Sequence, residues 1–104
     1  MEAAAIKYLE KLGYTILERN FWTKHGEIDI IASVSDTIVF FEVKYRSNIS
    51  FGYPEESITI KKQHSIKNAA LYYMYKNKLS TDMSYRFDVI VILKDTIRHI
   101  ENAF

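Results

Sequence analysis

Ile38-Val39-Phe40-Phe41-Glu42-Val43-Lys44-Tyr45 is almost wholly β-branched or aromatic, and its length is that of a strand rather than a helix. A strand this apolar is expected to be central in its sheet and covered on both faces. Side chains alternate along a strand, so Phe40, Glu42 and Lys44 share one face while Phe41, Val43 and Tyr45 share the other. Two charged groups therefore enter an apolar strand, and their desolvation requires compensation.

Working outward, Glu27 to Ala32 has the same character and is separated from Thr37 by Ser33-Val34-Ser35-Asp36. The two runs read as a β-hairpin. A turn centred on Ser35-Asp36 sets Asp29 opposite Glu42, with Cβ atoms roughly 4.5–5.5 Å apart. Before this hairpin, Tyr14 to Arg19 alternates as a short strand, and Asn20 to Gly26 reads as a polar connection carrying Phe21 and Trp22. The opening Glu2 to Leu12 is built from helix formers, with Ala5, Tyr8, Leu9 and Leu12 on one face and Gly13 as its stop. After a loop from Asn48 to Pro54, a long helix is expected from Pro54-Glu55-Glu56, re-initiated at Thr59 and ending near Asn77. Ile66, Ala69, Ala70, Tyr73 and Met74 supply its apolar face. Tyr85 to Leu93 and Thr96 to Ile100 read as two more strands joined by a tight turn at Lys94-Asp95. The order α-β-β-β-α-β-β implies a mixed α/β domain, one sheet with helices packed on it.

At 104 residues and 12.2 kDa, the chain allows one domain, residues 1–104, able to bury roughly 60–70% of its unfolded surface. The absence of cysteine excludes disulfides and thiolate metal sites. The longest apolar runs fall far short of the ~20 residues of a membrane-spanning helix, and the first residues lack a signal-peptide pattern. A soluble cytoplasmic protein is the expectation. With 48% hydrophobic and 26% charged residues, an intrinsically disordered tail is excluded.

A net charge of +1 argues at first against a nucleic-acid partner. The charge is unevenly placed, however. Residues 1–42 carry 4 basic and 7 acidic residues, residues 43–81 carry 7 and 2, and residues 82–104 carry 3 and 4. Between Ser57 and Thr81 stand five lysines and no acid. Lys61, Lys62 and Lys67 on the long helix, with Arg46, are therefore candidate phosphate contacts.

Asp29 and Glu42 facing one another would repel, and a plain sheet avoids that arrangement. A divalent cation removes the conflict, because carboxylates, a backbone carbonyl and waters are hard oxygen ligands suited to Mg²⁺ or Mn²⁺. Lys44, facing the same way, could orient or deprotonate a water or stabilise charge on a phosphate. The plainer reading is a cross-strand salt bridge between Lys44 and either acid. His25, His64 and His99 lack metal-site spacing and read as surface residues. Arg86 and Asp88 read as a structural ion pair, Tyr73 as core, and Phe21-Trp22 as an exposed contact or a cap on the core.

Gly26-Glu27-Ile28-Asp29 followed by Glu42-Val43-Lys44 resembles the D-(x)n-E-x-K core of the PD-(D/E)XK nuclease-like superfamily. The closer resemblance is to the bacterial YraN family, itself similar to archaeal Holliday-junction resolvases. It is carried by Glu2, Ala5, Tyr8-Leu9, Gly13-Tyr14, Asn20, Phe51-Gly52, Lys62-Gln63, Arg86-Phe87-Asp88-Val89 and Ala103-Phe104 as well as by the core motif. The proline that the superfamily places before its first acid is Ile28 in this chain. The resemblance implies a restriction-endonuclease-like mixed sheet, with Asp29 and Glu42 as metal ligands and Val43 offering its carbonyl. It makes Lys44 the catalytic lysine, Glu2 an accessory acid and Gln63 a neighbour of the site. The implied activity is Mg²⁺-dependent hydrolysis of DNA phosphodiesters, with branched or junction DNA as substrate. Symmetric cutting would favour a homodimer. Two alternatives stand beside it: a nucleic-acid-binding module that does not cut, and a protein-interaction subunit using the sheet edge or the Phe21-Trp22 segment.

Overall fold

A computed structural model describes residues 2–46, 58–80, 82–94 and 96–104. Its elements are α1 (Ala3–Lys11), β1 (Thr15–Thr23), β2 (Gly26–Val34), β3 (Thr37–Arg46), α2 (Ile60–Lys76), β4 (Ser84–Leu93) and β5 (Thr96–Ile100). This is the order read from the sequence. The five strands form one sheet in the order β1-β2-β3-β4-β5, so the apolar strand is central, as its composition requires. Neighbours are antiparallel except β3 and β4, which are parallel. Parallel neighbours need a long crossover, and α2 lies within it.

Each helix covers one sheet face. Ala5 and Leu9 of α1 pack with Tyr14, Ile30, Ala32, Val39, Phe41 and Ile90. Ile66, Ala69, Ala70 and Tyr73 of α2 pack with Phe21, Ile31, Ile38 and Phe40. Successive β3 residues thus alternate between two cores, and each large side chain so buried contributes about 1.5–3 kcal/mol. The side chain of Thr59 accepts a hydrogen bond from Lys62 N and caps α2. At the other end Asn77 Nδ2 donates to Tyr73 O. The Thr59 start and Asn77 end were therefore legible, while the Pro54–Glu56 start lies outside the described residues. Leu12, expected on the apolar face of α1, is 54% exposed, because the helix ends at Lys11 and the chain turns through Gly13 at φ 92.

The largest departure concerns Asn20 to Gly26, which is not a connection. β1 continues to Thr23 and returns through a two-residue turn at Lys24-His25, where Thr23 Oγ1 accepts from His25 N at 3.0 Å and Gly26 N at 3.2 Å. Phe21 is core, 7% exposed, and Trp22 is 75% exposed. The first part of the strand was legible, although its register shifts between Ile16 and Glu18 and places Leu17 in a bulge; its continuation was hidden by the left-handed Asn20 at φ 52. At Gly26 a Cβ atom would stand 3.3 Å from Ser65 Cβ, so the missing side chain lets α2 close onto this hairpin.

The remaining hairpins follow the sequence. Ser35, at φ 52, and Asp36 form the β2–β3 turn. Lys94, at φ 48, opens the β4–β5 turn, and Asp95 lies outside the described residues. His99 departs from its expected surface position. It sits on β5 diagonally across from Asp88, with His99 Nε2 2.7 Å from Asp88 Oδ2. Asp88 is fully buried and also accepts from Arg86 Nε and Nη2 and from Asn102 N. Arg86 in turn donates to Tyr14 OH at 2.6 Å, and Tyr8 OH lies 3.3 Å from His99 Nδ1. One buried carboxylate thus ties α1, the start of β1, β5 and the C-terminal turn together.

Candidate metal centre

The β2–β3 ladder runs from Val34↔Thr37 to Ile30↔Phe41, and its next rung is Asp29 opposite Glu42, the register expected from the turn. The backbone pairing stops there. Asp29 Oδ2 replaces it by accepting from Val43 N at 2.8 Å. β2 is also distorted at this point, since Ile28 and Ile31 both join the core under α2 while Ile30 joins the core under α1. A regular strand would keep the faces alternating. On the other flank the β1 register places Asn20 opposite Asp29, and Asn20 has φ 52. Asparagine is among the few residues that take this conformation readily. Asp29 therefore stands where the sheet is interrupted on both sides, which frees its carboxylate to lie between β2 and β3.

Glu42 is 8% exposed, and its carboxyl lies within hydrogen-bonding reach of Asp29. Burial first, then the hydrogen bond and charge of Asp29, push its pKa up to about 7, against the pull of Lys62 and Lys44. Lys62 Nζ is 3.6 Å from Glu42 Oε2. Sequence reasoning assigned Lys62 to a phosphate-facing surface. Lys62 meets Glu42 because α2 starts beside the carboxylates, three residues past the Thr59 cap, a placement that helical spacing does not carry.

The other candidates are distributed around this pair. Glu2 precedes α1, and its carbonyl accepts from Ile6 N at 2.9 Å. Glu2 and Asp29 both act on Tyr45, whose phenol is raised by burial and then by these two charges, so Glu2 approaches from the α1 side. Gln63 Nε2 donates to Ile58 O at 3.2 Å, closing the start of α2 rather than reaching a carboxylate. Arg46 is exposed and donates to Tyr45 O. Lys61 is exposed on α2, whereas Lys67 sits 5.9 Å from the Phe87 ring centroid. The structure thus gathers Asp29, Glu42 and Val43, with Lys44 and Lys62 in electrostatic reach, and engages Gln63 and Lys67 elsewhere.

Two carboxyls this close share a proton, recruit a cation, or destabilise the fold. Among the described residues no group of three His, Asp or Glu side chains converges. The pair itself could hold Mg²⁺, which binds through one or two carboxylates and completes its shell with water and phosphate oxygens.

The profile of the uncharacterised protein family UPF0102 matches residues 1–92. The chain belongs to this family. A UPF0102 protein of Lachnoclostridium phytofermentans is 52% identical over 103 residues, covering 99% of this chain and 87% of that relative. A UPF0102 protein of Clostridioides difficile is 51% identical over 105 residues, covering 99% and 91%. One from a Sulfurihydrogenibium strain is 47% identical over 103 residues, covering 99% and 89%. This is the YraN family read from the motifs, and these relatives carry neither an activity nor the wider nuclease-like superfamily in their names.

The carboxyl pair of this UPF0102 chain makes the metal-free protein sensitive to pH. In the folded state Glu42 keeps its proton up to about pH 7, against 4.5 for the ordinary group. Its contribution to stability is therefore full below about pH 4.5 and is lost as pH rises through about 7, by at most about 3 kcal/mol. Urea unfolding in chelator at about pH 5 and about pH 8 measures it. Glu42→Gln, which carries no charge at either pH, is expected to remove this part of the pH dependence. An equally steep dependence in Glu42→Gln would assign it to other groups.

Proposed function

We propose that this UPF0102 chain is a metal-dependent nuclease of the PD-(D/E)XK type, hydrolysing phosphodiester bonds in DNA, with branched or junction DNA as the favoured substrate. The observation that carries the reading is the Asp29–Glu42 pair at the break in the β2–β3 ladder, Glu42 buried and Asp29 half-buried, beside the Val43 backbone and Lys44. A structural sheet gains nothing from a buried acid held against a second one. Asp29, Glu42 and the Val43 carbonyl would hold Mg²⁺ or Mn²⁺. The bound ion would polarise the scissile phosphate and lower the pKa of a water. Lys44 positions that water for in-line attack or steadies charge on the phosphate. Glu2 would extend the acidic cluster from α1. Lys61 and Arg46, both exposed, would contact the DNA backbone, as would Lys62 once the cation takes its place on Glu42.

The test is cleavage of linear, flapped and four-way DNA by purified protein in Mg²⁺ or Mn²⁺. The reading requires cutting that chelator abolishes. Activity no greater than that of Asp29→Ala would remove it. The ion pair of Lys62 with Glu42 favours one second reading, a nucleic-acid-binding module in which an internal cation replaces the metal. Salt-dependent DNA binding, unchanged by divalent cations and without cleavage, would establish that alternative.

A further inference from the structure

We propose that the notch between the tip of the β1–β2 hairpin and α2 is a second nucleic-acid site, one that takes an unpaired base of a single-stranded segment. The proposal rests on the nucleic-acid reading above and specifies which part of a branched substrate the protein grips away from the carboxylates.

The notch has a volume of about 370 Å³ and is lined by Trp22, Thr23, Lys24, His25 and Tyr72, within the range of small-ligand clefts. Trp22, the chain's single tryptophan, is 75% exposed and Tyr72 is 46% exposed. Neither ring belongs to the core, and Tyr72 is held in place. Tyr72 stacks at 6.3 Å and 29° on Phe21, which is wedged edge-on against Tyr73 at 5.2 Å. Trp22 stands on β1 next to the turn that the Thr23 hydroxyl locks. Tyr72 and the hairpin turn are thus arranged before a ligand arrives, which lowers the entropic cost of binding.

Charge points to the occupant. None of the lining residues is acidic, Lys24 stands at the mouth, and Lys76 lies 5.9 Å from the Phe21 ring centroid. Aromatic faces combined with lysines match the chemistry of single-stranded nucleic acid, whose bases expose π-faces and whose backbone is anionic. Paired bases in a duplex expose only their edges in the grooves. The placement also fits. Trp22 pairs with Glu27, two residues from Asp29 along β2, or about 7 Å of strand. That is the length of about two stacked nucleotides, so a strand whose phosphate lies at the carboxylates can present a nearby unpaired base to the notch.

The single tryptophan reports on the site directly. With the full-length protein in chelator, oligothymidylate is expected to quench Trp22 fluorescence saturably, and a blunt duplex at equal nucleotide concentration is not. Tyr72→Ala, and Trp22→Thr followed by anisotropy of a labelled oligonucleotide, are expected to weaken single-strand binding by about five- to a hundredfold. Lys24→Glu is expected to weaken it and to flatten its salt dependence. Equal quenching by the blunt duplex, or wild-type affinity in both Tyr72→Ala and Trp22→Thr, would overturn the proposal. So would quenching by a proline-rich peptide but not by the oligonucleotide, which would make the notch a peptide groove. These measurements need no divalent cation, so a protein that binds but never cuts would refute the nuclease reading and leave this site standing. Metal-dependent cleavage with single-strand affinity unchanged in both ring variants would do the reverse.

Discussion

Lys44→Ala is expected to cut DNA at least about a hundredfold more slowly than the wild type while binding Mn²⁺ with nearly unchanged affinity. Asp29→Asn is expected to lose both properties. The two residues differ in what they touch. Asp29 places an oxygen at the break in the sheet and holds Val43 N at 2.8 Å, so its replacement would remove a proposed ligand and loosen the backbone beside it. Lys44 lies two residues beyond Glu42 on the same face, and its charge reaches that carboxylate. A cation cannot be a metal ligand; its absence should even ease binding of a second cation slightly. Cleavage assays paired with Mn²⁺ titrations on the same preparations separate the roles. Wild-type cleavage by Lys44→Ala would remove Lys44 from the chemistry. Parallel loss of metal binding in Lys44→Ala would make it a structural residue.

Asp88→Ala is expected to lose about 3–5 kcal/mol of stability, the cost of breaking a buried ion pair by removing one partner. Against the ~5–15 kcal/mol that a domain possesses, this is a large share. Burial alone would raise the Asp88 carboxyl, but hydrogen bonds from His99, Arg86 and Asn102 N, with the charge of Arg86, hold it below its ordinary value of 3.8. The depressed group contributes stability that is fully present above the ordinary carboxylate range and is lost as pH falls through its folded value. Wild type and variant should therefore differ most near neutral pH and converge in strong acid. The shift in the urea midpoint at about pH 7 measures the effect. A loss below about 1 kcal/mol would show that Arg86 and His99 find water or other partners once Asp88 is gone.

Much of the fold was legible because two periodicities were clean. The i, i+3, i+4 spacing of Ile66, Ala69, Ala70 and Tyr73 lies under α2 as expected, and the uninterrupted apolar character of β3 correctly placed it at the centre. The Asp29–Glu42 rung followed from a two-residue turn and a period of two, with no tertiary information. β1 was legible only as far as Arg19, for a local reason. The left-handed Asn20 ends the alternation that announces a strand, and polar residues in Asn20 to Gly26 then looked like a loop. The same irregularity opens the sheet around Asp29, so the least readable segment borders the most informative one. His99 was misplaced because its partner, Asp88, is adjacent across strands and not along the chain. Lys62 and Lys67 share a helix and a charge, yet one meets a carboxylate and the other an aromatic ring. Helical spacing cannot distinguish those fates without knowing how α2 is rotated over the sheet.

The central claim is that Asp29 and Glu42 form one divalent-cation site. Calorimetric titration of Mn²⁺ into wild type, Asp29→Asn and Glu42→Gln at about pH 8 tests it most directly. One saturable site is expected in the wild type, and loss of that site in both variants. Binding of undiminished affinity in both variants, or a wild type that takes up no Mn²⁺, would contradict it.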